Sequence, residues 1–203
     1  MFQSHNLLLR ACVVVATTGL GACAGGGSEA STSSLSNAGA VNSTEATNAQ
    51  NTQGSLRVEN CELTAIEEEL LLLTNARRAE PRWCGDDYYE AAAPVTWNCQ
   101  LTQAALKHST DMGENNFFSH TGSDGSRIGA RVTATDYEWQ MVGENIAAGF
   151  YSAPDAMQGW VDSPSHCSAL MNPAYHETST AVFIEENSDY QVYWTMVLAK
   201  PRS

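Results

Sequence analysis

The chain has few basic residues: 10 lysines and arginines stand against 23 aspartates and glutamates, within 203 residues. Two of the basic residues are lysines, Lys107 and Lys200, and the formal net charge is −13 at pH 7. A nucleic-acid-binding protein needs a basic stripe that neutralises phosphates, and this composition cannot supply one. The acidity also argues against attachment to an anionic membrane by charge. We therefore expect no nucleic-acid partner and no electrostatic membrane contact.

The sequence also lacks an apolar run long enough to cross a hydrocarbon core of ~30 Å. A short apolar stretch, residues 11–20, follows Arg10 and leads into Leu-Gly-Ala-Cys23, the pattern of a bacterial lipoprotein signal. We expect residues 1–22 to be cleaved and Cys23 to be acylated, which would anchor the protein at its N-terminus. The alternative is an ordinary secretory signal cut near Ala22 or Ala24. Both alternatives predict export, and the favoured one places a membrane-anchored lipoprotein in the bacterial cell envelope, facing the periplasm or the cell surface.

Aromatic residues are absent between residues 24 and 57, where Ala, Gly, Ser, Thr, Asn and Gln dominate. Such a segment cannot bury enough apolar surface to offset the entropy of ordering it. We interpret residues 23–58 as the acylated cysteine followed by a disordered tether. Residues 59–203 then have the length of one domain with one core.

Cysteine pairs of the form Cys-x-x-Cys are missing, which argues against a cysteine zinc site. Cys12 leaves with the signal and Cys23 carries lipid, so four cysteines remain in the domain: Cys61, Cys84, Cys99 and Cys167. An even number in an exported domain predicts two disulfides, and four cysteines permit three pairings.

Common catalytic signatures are absent too, including the Gly-x-Ser-x-Gly elbow, the P-loop and the dinucleotide fingerprint. His176-Glu177 begins like a zincin motif, but Thr180 stands where the second histidine is required. A hydrolase hypothesis would therefore depend on isolated polar side chains.

Four such side chains stand in distinctive local phrases: His120 in Phe-Phe-Ser-His-Thr-Gly, Glu144 in Gly-Glu-Asn-Ile, His166 in Ser-Pro-Ser-His, and Glu177 in Tyr-His-Glu. Two imidazoles and two carboxylates are the composition of a hydrogen-bonded cluster, a zinc site or an acid/base centre. Glycines around His120 and Glu144 and the Ser-Pro turn before His166 predict that these residues lie on loops or near element ends.

Periodicity predicts the elements that carry them. The predicted helices are residues 62–80, with a capping box at Thr64, then residues 98–115, capped by Asn98, and residues 153–161. Residues 178–184 and 190–198 are predicted to form a hairpin of two strands. His108 shares the apolar stripe of the second helix, which is more typical of a core histidine than of a ligand.

The order and flanking residues of the four phrases resemble the bacterial branch of the CAP superfamily, the SCP-like extracellular proteins, over roughly residues 60–200. This resemblance implies an α+β fold, a three-layer α-β-α sandwich, in which the matching side chains face one another across a central cleft. It also implies that Cys84, followed by Gly85, pairs with Cys167, and that Cys61 pairs with Cys99. Asp136 stands where the family usually has glycine before tyrosine, and aspartate tolerates the left-handed conformation.

Three interpretations of the cluster remain. In the first, His120 and His166 bind a divalent metal such as zinc, with Glu144 or Glu177 as a further ligand or with both orienting the rings. In the second, the cluster is structural and binds no metal. In the third, one glutamate is a general base. We prefer a cell-envelope binding module for a lipid-like or peptidic ligand, because it needs no missing catalytic group. The alternative is a metal-dependent hydrolase acting on envelope peptide or polymer, with Glu144 or Glu177 as the catalytic residue.

Overall fold

The computed structural model describes residues 57–58 and 61–203. The predicted signal segment, the lipidation site at Cys23 and the tether up to residue 56 lie outside the described residues. The first described strand, Arg57–Val58, pairs with Cys61–Glu62, so the predicted domain boundary at residue 59 falls inside a short antiparallel pair. Within the described part of the chain, every helix is too short or too polar to cross a membrane.

The structure is a mixture of helices and strands. The helices are α1 (Ala65–Arg78), α2 (Cys99–Glu114), α3 (Ile128–Thr133), α4 (Ala153–Asp162) and α5 (Pro164–Met171). The strands are β1 (Arg57–Val58), β2 (Cys61–Glu62), β3 (Arg82–Cys84), β4 (Asp87–Tyr89), β5 (Thr96–Trp97), β6 (Trp139–Ala148), β7 (Glu177–Ile184) and β8 (Val192–Pro201). The strand pairs are antiparallel except for β5 and β7, which are parallel.

The central sheet has the strand order β5-β7-β8-β6, and its three long strands are antiparallel. One face packs on α2 and α3, through buried residues that include Leu101, Val132 and Val197. The opposite face packs on α1, α4 and α5, through residues that include Leu70, Trp160, Leu170, Trp194, Met196 and Leu198. Residues alternate between the two faces along β8, because successive side chains of a strand point in opposite directions. The predicted three-layer α-β-α sandwich is confirmed.

Local signals explain the helix ends. Thr64 and Glu67 form the predicted capping box of α1, in which Glu67 Oε2 accepts a 2.7 Å hydrogen bond from the Thr64 amide. The Asn98 side chain accepts from the amides of Gln100 and Leu101 and caps α2 as predicted. The predicted first helix was too long at both ends, because Thr64 starts it and residues 79–80 leave it.

The predictions for Asp136 and for the disulfides are confirmed. Asp136 has a φ of 58°, the left-handed conformation for which aspartate is suited. The disulfides are Cys61–Cys99 and Cys84–Cys167, which confirms both pairings. The second of these joins the β3–β4 hairpin to α5.

Eight elements were not predicted: the short strands β1 to β5, the helices α3 and α5, and the long strand β6. In β6, Gly143, Glu144 and Asn145 interrupt the apolar alternation at the strand centre, so the segment reads as a loop although it pairs with β8 along its length. The structure favours glycine at position 143, because a Cβ there would clash with the Tyr175 hydroxyl oxygen unless that side chain moved. β6 forms an edge of the sheet, and the candidate site lies on it.

Candidate functional site

Glu144 lies in the middle of the edge strand β6, opposite Val197 of β8. The prediction that Glu144 lies on a loop is therefore wrong. Its side chain points to the face covered by α2 and α3, and that side chain is only 2% exposed. A carboxylate buried to this degree needs hydrogen-bonded or charged partners.

The Glu144 carboxylate has a partner on each oxygen. Oε1 accepts a 2.8 Å hydrogen bond from His120 Nδ1, and Oε2 accepts a 2.6 Å hydrogen bond from Arg131 Nη2. Burial raises the pKa of Glu144, but the hydrogen bond from His120 and the charge of Arg131 outweigh it, so the net shift is downward. Glu144 is therefore a carboxylate anion with its acceptor positions engaged.

His120 differs from Glu144 in being accessible, with a side chain that is 46% exposed. Because an ionised carboxylate can only accept, Nδ1 must carry the proton in this hydrogen bond. In the neutral ring, Nε2 then has the free lone pair. Carboxylates orient histidines in this way in metal sites and in acid/base centres.

The backbone around His120 is held by two buried side chains. Arg131, in α3, donates to the carbonyl of His120 at 3.2 Å and to the carbonyl of Ser126 at 2.8 Å. His108, in α2, lies 2.9 Å from the carbonyl of Ser119 through Nε2. Together with Glu144, these contacts fix a half-exposed histidine at its ring and at two successive carbonyls.

His166 lies in α5, which packs on the face of the sheet opposite to α2 and α3. It lies in the first turn of α5, near an element end as predicted, just after the end of α4. Its ring centroid is 6.5 Å from that of His120. Asn145 Nδ2 donates to the His166 carbonyl at 3.0 Å, and the next residue, Cys167, forms the disulfide with Cys84. Burial, and then the neighbouring His120, lower the pKa of His166, which favours its neutral form.

Glu177 makes its contacts in a different part of the fold. Its Oε2 accepts from the Tyr137 hydroxyl at 2.6 Å and from Asn98 Nδ2 at 3.1 Å. It begins β7 and pairs with Ala199, whereas Glu144 pairs with Val197 on the other side of β8. The structure thus brings three of the four predicted residues together and uses Glu177 to tie the N-terminus of α2 to the sheet.

The donors of the cluster can be compared with the needs of zinc. Zinc sites use three or four protein ligands, at about 2 Å for nitrogen. His120 and His166 supply two nitrogens, and the oxygens of Glu144 are engaged by His120 and Arg131. Among residues 61–203, no group of three His, Cys, Asp or Glu side chains is placed to hold a metal ion. The described residues therefore fit a two-histidine site in which Glu144 orients a ligand, and they do not fit a complete zinc site.

The same contacts limit acid/base chemistry. A carboxylate whose pKa is lowered and whose oxygens are both engaged is a poor proton acceptor near neutral pH. Nε2 of His120 is the nitrogen left free by the contact with Glu144, and the side chain that carries it is 46% exposed. The arrangement therefore provides two neighbouring imidazoles, and the ring of His120 is oriented by its hydrogen bond to the buried Glu144.

The sequence analysis missed Arg131, whereas its prediction that His108 is a core histidine is confirmed by the burial of that side chain. Arg131 is 2% exposed and His108 is fully buried, yet neither stands in a distinctive phrase. One signal was available: an arginine followed by Val132 on a short apolar helix must bury its stem and find a counter-charge. Their partners lie 11–13 residues away in the chain, a spacing that no local pattern reveals.

Residues 72–198 match the family described as "CAP: Cysteine-rich secretory protein family". An uncharacterized membrane protein of Bacillus subtilis (strain 168), YlbC, is 32% identical over 119 residues, which are 59% of this chain and 32% of that protein. A second protein of the same strain, the uncharacterized YkwD, is 24% identical over 56% of this chain and 40% of its own length. The chain thus spans well under half the length of these curated relatives.

Solved structures give the same picture. An extracellular protein containing an SCP domain, from Bacillus anthracis str. Ames, has a TM-score of 0.56 and 27% identity, covering 66% of this chain and 40% of that one. An outer surface protein from Borrelia burgdorferi has a TM-score of 0.52 and 18% identity, covering 66% of this chain and 95% of its own, and shows similarity of fold alone.

Proposed function

Because the chain belongs to the cysteine-rich secretory protein family, the CAP family, we propose that it is a ligand-binding module of the bacterial cell envelope. The ligand is an extended peptide that lies along the free edge of β6. His120 and His166 make its polar contacts. Glu144, Arg131 and the backbone contacts behind them prepare His120 for this role.

One observation carries the proposal: His120 is fixed in place although its side chain is 46% exposed. Surface histidines ordinarily move freely, because ordering a side chain costs conformational entropy. Here a buried ion pair between Arg131 and Glu144 stands behind the ring. Buried ion pairs contribute little net stability compared with apolar packing, so their use here suggests a purpose other than stability.

The edge position of β6 favours a peptide as the ligand. Among the described strands, β6 pairs with β8 alone. Gln140 and Met141 in its first half are exposed, whereas Asn145, Ile146 and Ala147 in its second half are buried. A peptide that adds to an exposed sheet edge gains main-chain hydrogen bonds, and side-chain pockets supply specificity. A peptide on the first half of β6 would reach the two histidines where the free edge ends.

The experiment selects 12-residue peptides from a random library on the mature chain carrying Cys23→Ser, and measures the affinity of the best by calorimetry. We expect His120→Ala and His166→Ala to weaken binding by about tenfold or more, the loss of one or two hydrogen bonds. His176→Ala is the matched control, since this histidine is exposed and lies next to Glu177, away from the cluster. Binding of palmitate, but of no peptide, that depends on the same histidines would show a lipid ligand instead.

A second candidate function, a metal-dependent hydrolase, is favoured by one contact. The carboxylate–histidine hydrogen bond of Glu144 and His120 has the form of a metal ligand oriented from behind. In this candidate His120 and His166 would hold zinc, which would polarise a bound water or carbonyl. Addition of Co²⁺ to the chelator-treated protein tests it: a saturable visible absorption lost in His120→Ala supports a metal site, and a flat spectrum opposes it.

Attachment to the membrane through acylated Cys23 is also part of the proposal. The mass of the mature N-terminal peptide tests it directly. Diacyl or triacyl Cys23 supports a lipoprotein, and an unmodified N-terminus near Ala22 or Ala24 would show a secreted protein.

A further inference from the structure

His108 is a fully buried histidine with a single hydrogen-bonding contact, to the carbonyl of Ser119. Its Nε2 lies 2.9 Å from that oxygen, so Nε2 carries the proton, because a carbonyl can only accept. Its other nitrogen, Nδ1, is buried without a partner in the described part of the chain. The ring edge rests against Phe117, with centroids 6.4 Å apart.

This arrangement is costly for a residue that only fills the core. His108 shares the buried stripe of α2 with Leu101, Ala105 and Met112, and an apolar side chain there would leave no nitrogen unpaired. Burial lowers the pKa of His108, so the ring is neutral and adds no charge beside Arg131. What the imidazole supplies, and a leucine could not, is one N–H that donates to the carbonyl before His120 and lies 3.9 Å from Glu144 Oε1.

We propose that His108 is a positioning residue for His120, which holds the Ser119–His120 peptide so that Nδ1 of His120 meets Glu144 and Nε2 faces outward. The inference deepens the proposed function, since it concerns the same histidine. Its test needs neither peptide nor metal, so it can fail or succeed independently of ligand binding.

The contacts around this peptide explain how His108 acts. The carbonyl of Ser119 is held by His108, and the next carbonyl, of His120, is held by Arg131. The Ser119 hydroxyl oxygen also accepts from the Thr121 amide at 3.1 Å. With two successive carbonyls fixed, the His120 Cα between them has little freedom to turn. Loss of the His108 N–H would free the first carbonyl to rotate toward water and would swing the His120 ring away from Glu144.

The test compares His108→Gln, whose amide N–H replaces the lost donor, with His108→Leu, which removes it. The readout is the tautomer of His120, from ¹⁵N chemical shifts of the histidine rings in the mature chain at pH 9, where free imidazole is neutral. We expect His108→Leu to lower the ratio of Nδ1-protonated to Nε2-protonated His120 by roughly tenfold, the effect of one lost hydrogen bond. His108→Gln should restore most of that ratio.

Met112→Leu is the matched control, because Met112 is equally buried one turn along the same stripe and faces no polar partner in the hydrogen bonds described. It should alter stability and leave the His120 tautomer unchanged. A folded His108→Leu protein with the wild-type tautomer of His120 would overturn the proposal. If that variant fails to fold, the ring ¹⁵N shifts of His108 in the wild-type protein still test the proposal. Protonation of His108 on Nδ1 instead of Nε2 would contradict its hydrogen bond to the Ser119 carbonyl and overturn the proposal.

Discussion

Two arginines are buried in this domain, and their partners differ in kind. Arg78, at the end of α1, is fully buried and donates to four backbone carbonyls, those of Ala93, Leu170, Asn172 and Tyr175. Arg131 is 2% exposed and donates to a carboxylate as well as to carbonyls. Burial lowers the pKa of Arg78. Without an anionic partner in these contacts, Arg78 serves as a cross-link between backbone segments.

The difference shows how one side-chain type serves structure in one place and a site in another. Arg78 ties α1 to the end of α5 and to the loop that leads into β7, so its loss would affect the whole fold. Arg131 sustains the charge of Glu144, which in turn orients an accessible histidine. We therefore expect the Arg78 region to govern stability and the Arg131 region to govern the state of His120.

The largest expected effect is at Arg78. Arg78→Met would leave four carbonyl oxygens without this donor, at about 1 to 3 kcal/mol for each group that stays buried, and should lower the free energy of unfolding by about 4 kcal/mol or more. Urea denaturation measures it. Arg78→Lys keeps the charge but not the forked set of donors. Its free energy of unfolding should therefore lie between those of the wild type and Arg78→Met. Equal stability of Arg78→Met and wild type would break the comparison.

Glu144→Gln should have the next largest effect, about 2 to 4 kcal/mol, because it leaves Arg131 buried without a counter-charge. The effect should depend on pH. The pKa of Glu144 is lowered in the folded protein, so its stabilisation is fully present above the unfolded value of about 4.5 and is lost as pH falls through the folded value. The difference between wild type and variant in urea midpoints should therefore shrink below about pH 4.5. A constant difference from pH 7 to pH 3 would argue against a charged Glu144.

Tyr175 connects the two regions and offers a smaller test. Its carbonyl accepts from Arg78 Nη2 at 3.2 Å, and its hydroxyl lies against Gly143, next to Glu144. Gly143→Ala would place a Cβ 2.4 Å from that hydroxyl oxygen, so we expect a loss of about 1 to 3 kcal/mol in thermal unfolding. Adding Tyr175→Phe removes the obstructing oxygen and should recover part of the loss. If the double variant is no more stable than Gly143→Ala, the Tyr175 hydroxyl is not the cause of the destabilisation.

His166→Ala should have the smallest effect on stability, within about 0.5 kcal/mol, because the described structure gives its ring no hydrogen-bond partner. Its effect on peptide affinity should be large by comparison. Calorimetric unfolding and peptide titration of the same sample separate the two. A large loss of stability with unchanged peptide affinity would show that His166 supports the fold and does not contact the peptide.

Parts of the fold were predictable because their causes are local. The Thr64 capping box, the Asn98 cap and the left-handed Asp136 each depend on a few neighbouring residues. The disulfides and the three-layer fold followed from the family resemblance of the four phrases. The strand β6 was missed because Gly143, Glu144 and Asn145 are unfavourable strand residues that tertiary contacts retain.

The site itself was less predictable, for a physical reason. The phrases singled out His120, Glu144 and His166, which the structure brings together, but they gave no means of separating Glu177, which lies on the other side of β8. The contacts of Arg131 are set by tertiary packing, and its role was invisible in sequence. Whether the predicted four residues share a ligand stays a prediction.

The central claim is that Glu144 holds His120 with its proton on Nδ1 and its Nε2 lone pair facing outward. ¹⁵N spectra of the histidine rings in the metal-free mature chain at pH 9 measure this directly. We expect His120 to be protonated on Nδ1 in the wild type and to revert toward a mixture of tautomers in Glu144→Gln. A wild-type His120 protonated on Nε2, or one that already averages between tautomers as free histidine does, would contradict it.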